Sequence, residues 1–242
     1  MNDNQDKVNH LVEETKEYYR KRAPQYWDWS SPTAVYEEGP QPDRSFFDEA
    51  RMLLDALDDA KLEGNVLEIA CGPGILTEAL VKHAASVTAL DSSREMIERS
   101  RLRLKGNPKV KFVLADFYNW KPDAVYDAVA FSFWISHVPS TKLDEFVLKV
   151  SRCLSPEGRV FFLDQRPEAA INEDRVEPRG EVVYRDLGDK GKFKVFKHFY
   201  SPEEIEESFL SHRIMTRITN TPTHFFYVDG QRTREATSSH GR

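Results

Sequence analysis

The stretch Asn65-Val-Leu-Glu-Ile-Ala-Cys-Gly-Pro-Gly74 constrains this chain more than any other. Its first half is apolar enough for a buried strand, and it runs straight into a loop carrying two glycines. Ile75 to Val81 follows, with Leu76, Ala79 and Leu80 spaced to bury one side of a helix. Strand, tight turn and helix in that order form a cradle for a nucleotide-like ligand at the edge of a parallel sheet. Gly72 and Gly74 lack a Cβ, so the backbone there can turn sharply and come close to a ligand. The next apolar run, Val87 to Leu90, ends in Asp91, well placed to accept hydrogen bonds from both hydroxyls of a ribose.

Around this unit, strands and helices alternate, the signature of a parallel sheet covered on both faces. Residues 44–62 are expected to be helical, with Phe47, Leu54 and Leu57 on the apolar side. Ser92-Ser-Arg-Glu95 has capping-box spacing, so a helix should start directly after Asp91. Asn107-Pro108 ends it, and Val110 to Leu114 gives a third strand. Tyr126 to Phe133 gives a fourth, apolar enough to be central. A helix over 143–154 and the turn Pro156-Glu-Gly158 lead into a fifth strand, Arg159 to Asp164. Residues 166–180 are rich in charge and proline and should run over the surface. Two extended arms joined by Gly188-Asp-Lys-Gly191 then predict a hairpin. Ser201-Pro202-Glu-Glu204 opens a final helix. Strands over 213–218 and 223–228 close the chain, and a polar tail from about Gly230 is expected to be disordered.

The glycine loop fits two ligand classes. A dinucleotide site needs G-x-G-x-x-G, but Thr77 stands where the third glycine belongs. Pyrophosphate also prefers an uncharged helix N-terminus, yet Glu68 lies just upstream. A carboxylate there suits a ligand with a cationic amino-acid end and no phosphate; the bland alternative is an ordinary βα turn with a chance acid. Glu68-x-Ala70-Cys71-Gly72-x-Gly74 followed by Asp91 closely resembles motif I and the ribose acid of the class I S-adenosylmethionine (SAM) methyltransferases. Over residues 45–228 the layout resembles their α/β fold, a Rossmann-like seven-stranded sheet with an antiparallel last strand. Here the hairpin at 181–200 is an insertion before the final helix. Tyr18-Tyr-Arg-Lys-Arg-Ala-Pro-Gln-Tyr26 and Phe133-Trp-Ile-Ser-His-Val-Pro139 resemble segments of their prokaryotic small-molecule branch. The organisation expected is an N-terminal helical lid over 1–43, the methyltransferase domain over 44–229 and a tail over 230–242.

The resemblance implies SAM as cofactor, S-adenosylhomocysteine (SAH) as product and a small-molecule acceptor. It places Tyr19, Tyr26, Glu68, Ala70, Cys71, Gly72, Gly74 and Asp91 around the cofactor. Ser92 and Met96 follow on the adenine side, where a core role for Met96 is the alternative. Asp116-Phe117 resembles the adenine motif, a carboxylate for the exocyclic amine and a ring to cover the base; a helix cap is the plainer reading. Phe131 and Ser132 should end beside the sulfonium. His137 is the candidate general base, because imidazole titrates near neutral pH, although a single loop histidine is often mere packing. Tyr18, Trp27, Trp134 and His137 are the candidate acceptor pocket, with Trp29 as further aromatic surface and His198 open.

Composition narrows the partners. Hydrophobic residues make up 40% and charged residues 31% of 242, with net charge −6, which disfavours a broad nucleic-acid surface. The basic run Arg99 to Lys105 is expected to be a solvated helix face. No apolar run approaches the ~20 residues of a membrane span, and Met1 to Lys7 has no apolar signal-peptide region. Cys71 and Cys153 are the only cysteines and lie far apart, which suggests reduced thiols and a cytoplasmic protein. No metal motif occurs, and a homodimer is compatible with this reading. The competing functions are a nucleic-acid or ribosome methyltransferase on the same fold, a non-catalytic SAM-binding protein, and a dehydrogenase. The residues Phe131-Ser-Phe-Trp134 differ from the N/D-P-P-Y/F of base-modifying relatives.

Overall fold

The computed structural model of the chain describes residues 3–26, 28–32, 42–166, 169 and 181–234. In chain order its elements are α1 (Asp3–Arg22), α2 (Arg44–Ala60), β1 (Asn65–Ile69), α3 (Ile75–Leu80), β2 (Ser86–Asp91), α4 (Arg94–Leu104), β3 (Val110–Leu114) and β4 (Tyr126–Ser132). They continue with α5 (Leu143–Cys153), β5 (Leu154–Gln165), β6 (Val182–Asp186), β7 (Lys192–Phe196), α6 (Pro202–Ser211), β8 (Ile214–Asn220) and β9 (Phe225–Arg232). Seven strands form one sheet in the order β3-β2-β1-β4-β5-β9-β8. β1 to β5 run parallel, and β9 is antiparallel to both of its neighbours. From β1 the chain first builds outward through β2 and β3, then crosses to β4 on the other side. That reversal opens a crevice at the carboxyl ends of β1 and β4, the place where such sheets bind ligands.

Period-2 alternation assigns each side chain of β4 to a layer. Ala128 and Ala130 pack beneath α2 and α3 with Leu53, Leu57 and Leu76. Val129 and Phe131 face α5 and α6 instead, where Phe131 stacks on Phe162 at 4.5 Å and meets Phe146 edge-on at 5.5 Å. A third, smaller core lies outside the sheet. Tyr18 of α1 is fully buried among Val183, Phe193 and Val195 of the hairpin β6–β7, which pairs with no strand of the main sheet. Thr15 Oγ1 accepts from the Phe196 amide at 2.8 Å and fixes the register of that contact.

Several local expectations shift. Ser93, not Ser92, caps α4, accepting from Met96 N at 3.2 Å, so the spacing Ser92 to Glu95 does not form a capping box. Ser201 and Glu204 do form one at α6. The Pro156–Gly158 turn sits within the span of β5. Tyr126 pairs with Leu154 but Ala128 with Arg159, and the segment between bulges out with Glu157 at φ 64. β9 continues to Arg232, so the tail does not begin at Gly230; residues 235–242 lie outside those described. Of the expected surface run 166–180, only 166 and 169 are described. The basic run of α4 is not simply solvated. Arg99 donates to the carbonyls of Pro24 and Tyr26, and Arg103 pairs with Asp28 at 2.6 Å, so both clamp the segment after α1.

Candidate active site

The loop after β1 turns on three positive-φ residues, Ala70 (φ 53), Gly72 (φ 53) and Gly74 (φ 85). A Cβ at Gly74 would stand 2.3 Å from Ser100 Oγ, so this glycine serves the close packing of the loop on α4. A Cβ at Gly72 would meet nothing within 4 Å, and the glycine answers to conformation and to an open approach. Gly72 N donates to one oxygen of Asp91 at 2.9 Å and Ser93 N to the other at 2.8 Å. These bonds tie the loop after β1 to the end of β2. Burial pushes the Asp91 carboxyl upward, and the backbone amides oppose that shift by favouring the charged form.

A cavity occupies the crevice at the carboxyl ends of β1 and β4, the kind of concave site that small molecules use. Ala70, Gly72, Asp91, Ser92 and Met96 line one side of it. Asp116 and Phe117 line the end of β3, and Ser132, Trp134 and His137 the end of β4. Tyr19 and Tyr26 complete its roof. Four expected members lie elsewhere. Phe131 is one residue out of phase with the crevice and fills the α5 core. Cys71 and Gly74 pack under the loop. Glu68 is buried, with Oε2 accepting from Thr77 Oγ1 at 2.6 Å and Oε1 without a hydrogen-bond partner. Burial, followed by the nearby Asp91 charge, pushes its carboxyl up to about 8. Tyr18 belongs to the hairpin core instead of the acceptor pocket, and Trp27 lies outside the described residues.

The sequence reading missed the contribution of α1 besides Tyr19. Val12, Thr15, Lys16 and Tyr19 all line the cavity, and their spacing of three, one and three is a helical stripe that was legible. Lys16 Nζ pairs with Asp116 at 2.8 Å, which ties α1 to the end of β3 across the cavity. Burial works against the Lys16 charge, but hydrogen bonds to Asp116 and Glu13 raise its pKa overall.

His137 is held from three sides. Its ring Nδ1 lies 2.6 Å from the Phe196 carbonyl, which can only accept, so Nδ1 carries the proton. A neutral ring in that tautomer turns the Nε2 lone pair to the Tyr19 hydroxyl, 2.8 Å away. The loop beneath is pinned where Ser136 donates to buried Asp164 through both N and Oγ, at 3.1 and 3.2 Å. Phe133 takes φ 51 at the end of β4, an unfavourable conformation for a bulky residue that recurs beside active sites. His198 pairs with Glu181 at 3.0 Å, packs on Tyr200 and lines neither this cavity nor the next.

A second cavity shares Tyr19, Tyr26, Phe133 and His137 with the first. Trp29 contributes to its far wall. Among the described residues no cluster of three or more His, Cys, Asp or Glu could hold a metal ion. Among the described residues no helix is long and apolar enough to cross a membrane.

The donor set fits an adenosyl ligand. Acceptor oxygens at Asp91 and Asp116 can meet ribose hydroxyls and an exocyclic amine, while Met96 and Phe117 offer apolar surface to a purine. Comparison with known proteins agrees. A family model described as a methyltransferase domain matches residues 66–158. The chain is 39% identical over 102 residues to a demethylmenaquinone methyltransferase of Clavibacter sepedonicus, 41% of this chain and 40% of the relative. It is 34% identical over 101 residues to a ubiquinone biosynthesis O-methyltransferase of Vibrio atlanticus, 40% of this chain and 41% of the relative. The chain thus spans about two fifths of the length of the curated relatives it matches. Similarity to solved structures extends further. A DhpI–SAM–HEP complex is 31% identical with TM-score 0.73, covering 91% of this chain and 97% of that one. A DhpI–SAH complex is 29% identical with TM-score 0.75, covering 93% and 98%. The fold and the crevice define a SAM-binding protein of the α/β class. The chain belongs to the class I SAM-dependent methyltransferases, whose methyl donor is SAM.

Proposed function

We propose that the protein transfers a methyl group from SAM to a small-molecule acceptor, with the cofactor in the first cavity and the acceptor in the second. The observation that carries this reading is the wall the two cavities share, formed by Tyr19, Tyr26, Phe133 and His137. SAM supplies an electrophilic methyl carbon, and the electron pair of its bond to sulfur stays on sulfur as the acceptor atom forms the new bond. The chain's task is positioning. Asp91 accepts from the ribose, Asp116 and Phe117 hold the adenine, and Met96 packs on its face. Gly72 and Ala70 leave room for the amino-acid end. Glu68 acts from beneath the loop, with its unpartnered Oε1 available to a cationic group.

His137 Nε2 takes the proton of a hydroxyl acceptor, directly or through Tyr19, while Nδ1 stays bound to the Phe196 carbonyl and holds the ring in place. α1 and the hairpin form the lid that keeps this space dry. The lid segment 1–43 and the domain 44–229 act as one unit through that contact. One curated relative is named for demethylmenaquinone and another for ubiquinone biosynthesis, so quinone-related acceptors belong in the first screen. The two buried free cysteines support a cytoplasmic setting. The test is incubation with methyl-labelled SAM and a metabolite extract, with identification of the labelled product. Label appearing only in nucleic acid or protein would refute the small-molecule reading. SAH binding without any transfer would favour a non-catalytic role.

A further inference from the structure

The turn after β3 is held from behind by one side chain. Lys149 of α5 donates from Nζ to the Phe117 carbonyl, to that of Tyr118 at 2.9 Å and to that of Trp120 at 2.6 Å. An ammonium carries three protons and no acceptor, so these bonds use its full donor set. The same Nζ lies 5.0 Å from the centroid of the Phe117 ring. Within the turn, the Asn119 and Trp120 amides donate back to the Asp116 carbonyl, and the Tyr118 amide donates to Asp116 Oδ1. Asp116, Phe117 and Tyr118 all line the first cavity. We propose that Lys149 is a positioning residue for the cofactor's base. By gathering the carbonyls of residues 117, 118 and 120 it fixes the turn that aims Asp116 and Phe117 at adenine, and so sets the preference for adenine over hypoxanthine. The inference rests on the placement of adenine given above and adds the residue behind the cavity wall on which that placement depends.

Three carbonyl oxygens aimed at one place repel one another, and a cation among them turns that repulsion into attraction. Burial pushes the Lys149 pKa down, with Cys153, Asp116 and Glu145 opposing the shift. The helix that carries Lys149 is firmly seated. Phe146 and Val150, on either side of it, are fully buried, and Phe146 meets Phe117 edge-on at 5.6 Å. A rigid element thus delivers the ammonium to a turn that belongs to no strand or helix. On the cavity side, Asp116 Oδ2 accepts from Lys16 at 2.8 Å and from Asn119 Nδ2 at 3.3 Å. The two oxygens of a carboxylate offer about four acceptor sites, which leaves one for the exocyclic amine of adenine. Hypoxanthine presents a carbonyl oxygen at the same place, with no proton between it and the carboxylate. A site built to accept from an N–H rejects the analogue that lacks it, and the rejection is as sharp as the carboxylate is fixed.

The experiment compares SAH with S-inosylhomocysteine, which carries hypoxanthine in place of adenine, by calorimetry on the full chain and on Lys149 variants. The wild type should prefer SAH by about tenfold to a hundredfold, the range of a hydrogen bond to a charged group. Lys149→Met keeps the apolar stem without the ammonium, and its preference should fall about tenfold or more. Lys149→Arg keeps the charge and should keep most of the preference, with Lys149→Gln in between. A role in stability alone would lower only the folded fraction, which weakens both ligands by the same factor and leaves their ratio unchanged. If Lys149→Met does not fold, the ratio in Lys149→Gln decides. A wild-type ratio in the folded variant overturns the proposal, whatever happens to the separate affinities. Equal binding of the two ligands by the wild type, or no SAH binding, would instead overturn the placement of adenine on which the proposal stands.

Discussion

Replacing Glu68 by glutamine should flatten the dependence of stability on pH. Below about 4.5 the Glu68 proton is bound in the folded and unfolded chain alike. Between about 4.5 and about 8 the folded chain keeps a proton that the unfolded chain has released, so each added pH unit destabilises the fold. The slope is about 1.4 kcal/mol per pH unit, or roughly 5 kcal/mol across the window. Glutamine retains an acceptor for the Thr77 hydroxyl, fills the same volume and has no proton to lose. Asp91, whose carboxyl is also pushed up by burial, is common to both proteins, so their difference isolates Glu68. Urea unfolding by tryptophan fluorescence at several pH values between about 5 and 8 measures it. The variant should gain on the wild type steadily as pH rises. Curves that stay parallel would show that Glu68 ionises in the fold as readily as in the unfolded chain, and the argument from burial would fail. In calorimetry at neutral pH, SAH binding to the wild type should release a proton if the ligand's ammonium approaches Glu68. Its enthalpy would then vary with the buffer's ionisation heat, and in Glu68→Gln that variation should vanish.

Asp91→Ala should weaken SAH binding on the order of tenfold to a hundredfold, the loss expected for charge-assisted bonds worth roughly 1.5–3 kcal/mol; unchanged affinity by calorimetry would refute the ribose assignment. His137→Ala should lower turnover by about 10²–10⁴-fold with little change in SAH affinity, if the acceptor arrives protonated. A smaller loss with an unaltered pH–rate profile would leave His137 as a wall residue only. Tyr18→Ala should cost the α1–hairpin contact about 3 kcal/mol or more, read as lost amide protection over residues 182–196 with the main sheet still protected. Protection unchanged there would mean that the hairpin stands without α1. Turnover should survive a chelator; loss restored by magnesium would reveal a metal site built from dispersed carboxylates.

The cofactor crevice was legible because its signals are local. An apolar strand, two glycines and an acid at the end of the next strand all lie within residues 65–91, and periodicity alone orders them. Serine caps are harder, since Ser92 and Ser93 are chemically equivalent and only the backbone direction after Asp91 selects the second. Phe131 was misplaced for a similar reason: in a strand buried on both faces, the alternation that separates crevice from core is invisible in an unbroken apolar run. Glu68 looked like a direct ligand but lies under the loop, because Thr77, nine residues on, captures it. Least legible was the second cavity. Arg22, Arg185 and Lys197 in its wall are up to 175 residues apart in sequence, and no periodicity couples α1 to a hairpin inserted before the last helix.

That long-range contact also sets an order of events at the ribosome. α1 is synthesised first, but the pocket for Tyr18 does not exist until Val183, Phe193 and Val195 have followed. By then β1 to β5 have all emerged, and domains begin to organise during synthesis. The contact of α1 therefore forms only after the strands that carry the crevice have been made, with α6, β8 and β9 still to follow. A chain truncated before β6 would lack that contact, and with it α6, β8 and β9, whose Phe209, Phe225 and Phe226 belong to the two main cores. The hairpin is thus the element that joins the first helix to the late part of the chain and holds Tyr19 against His137.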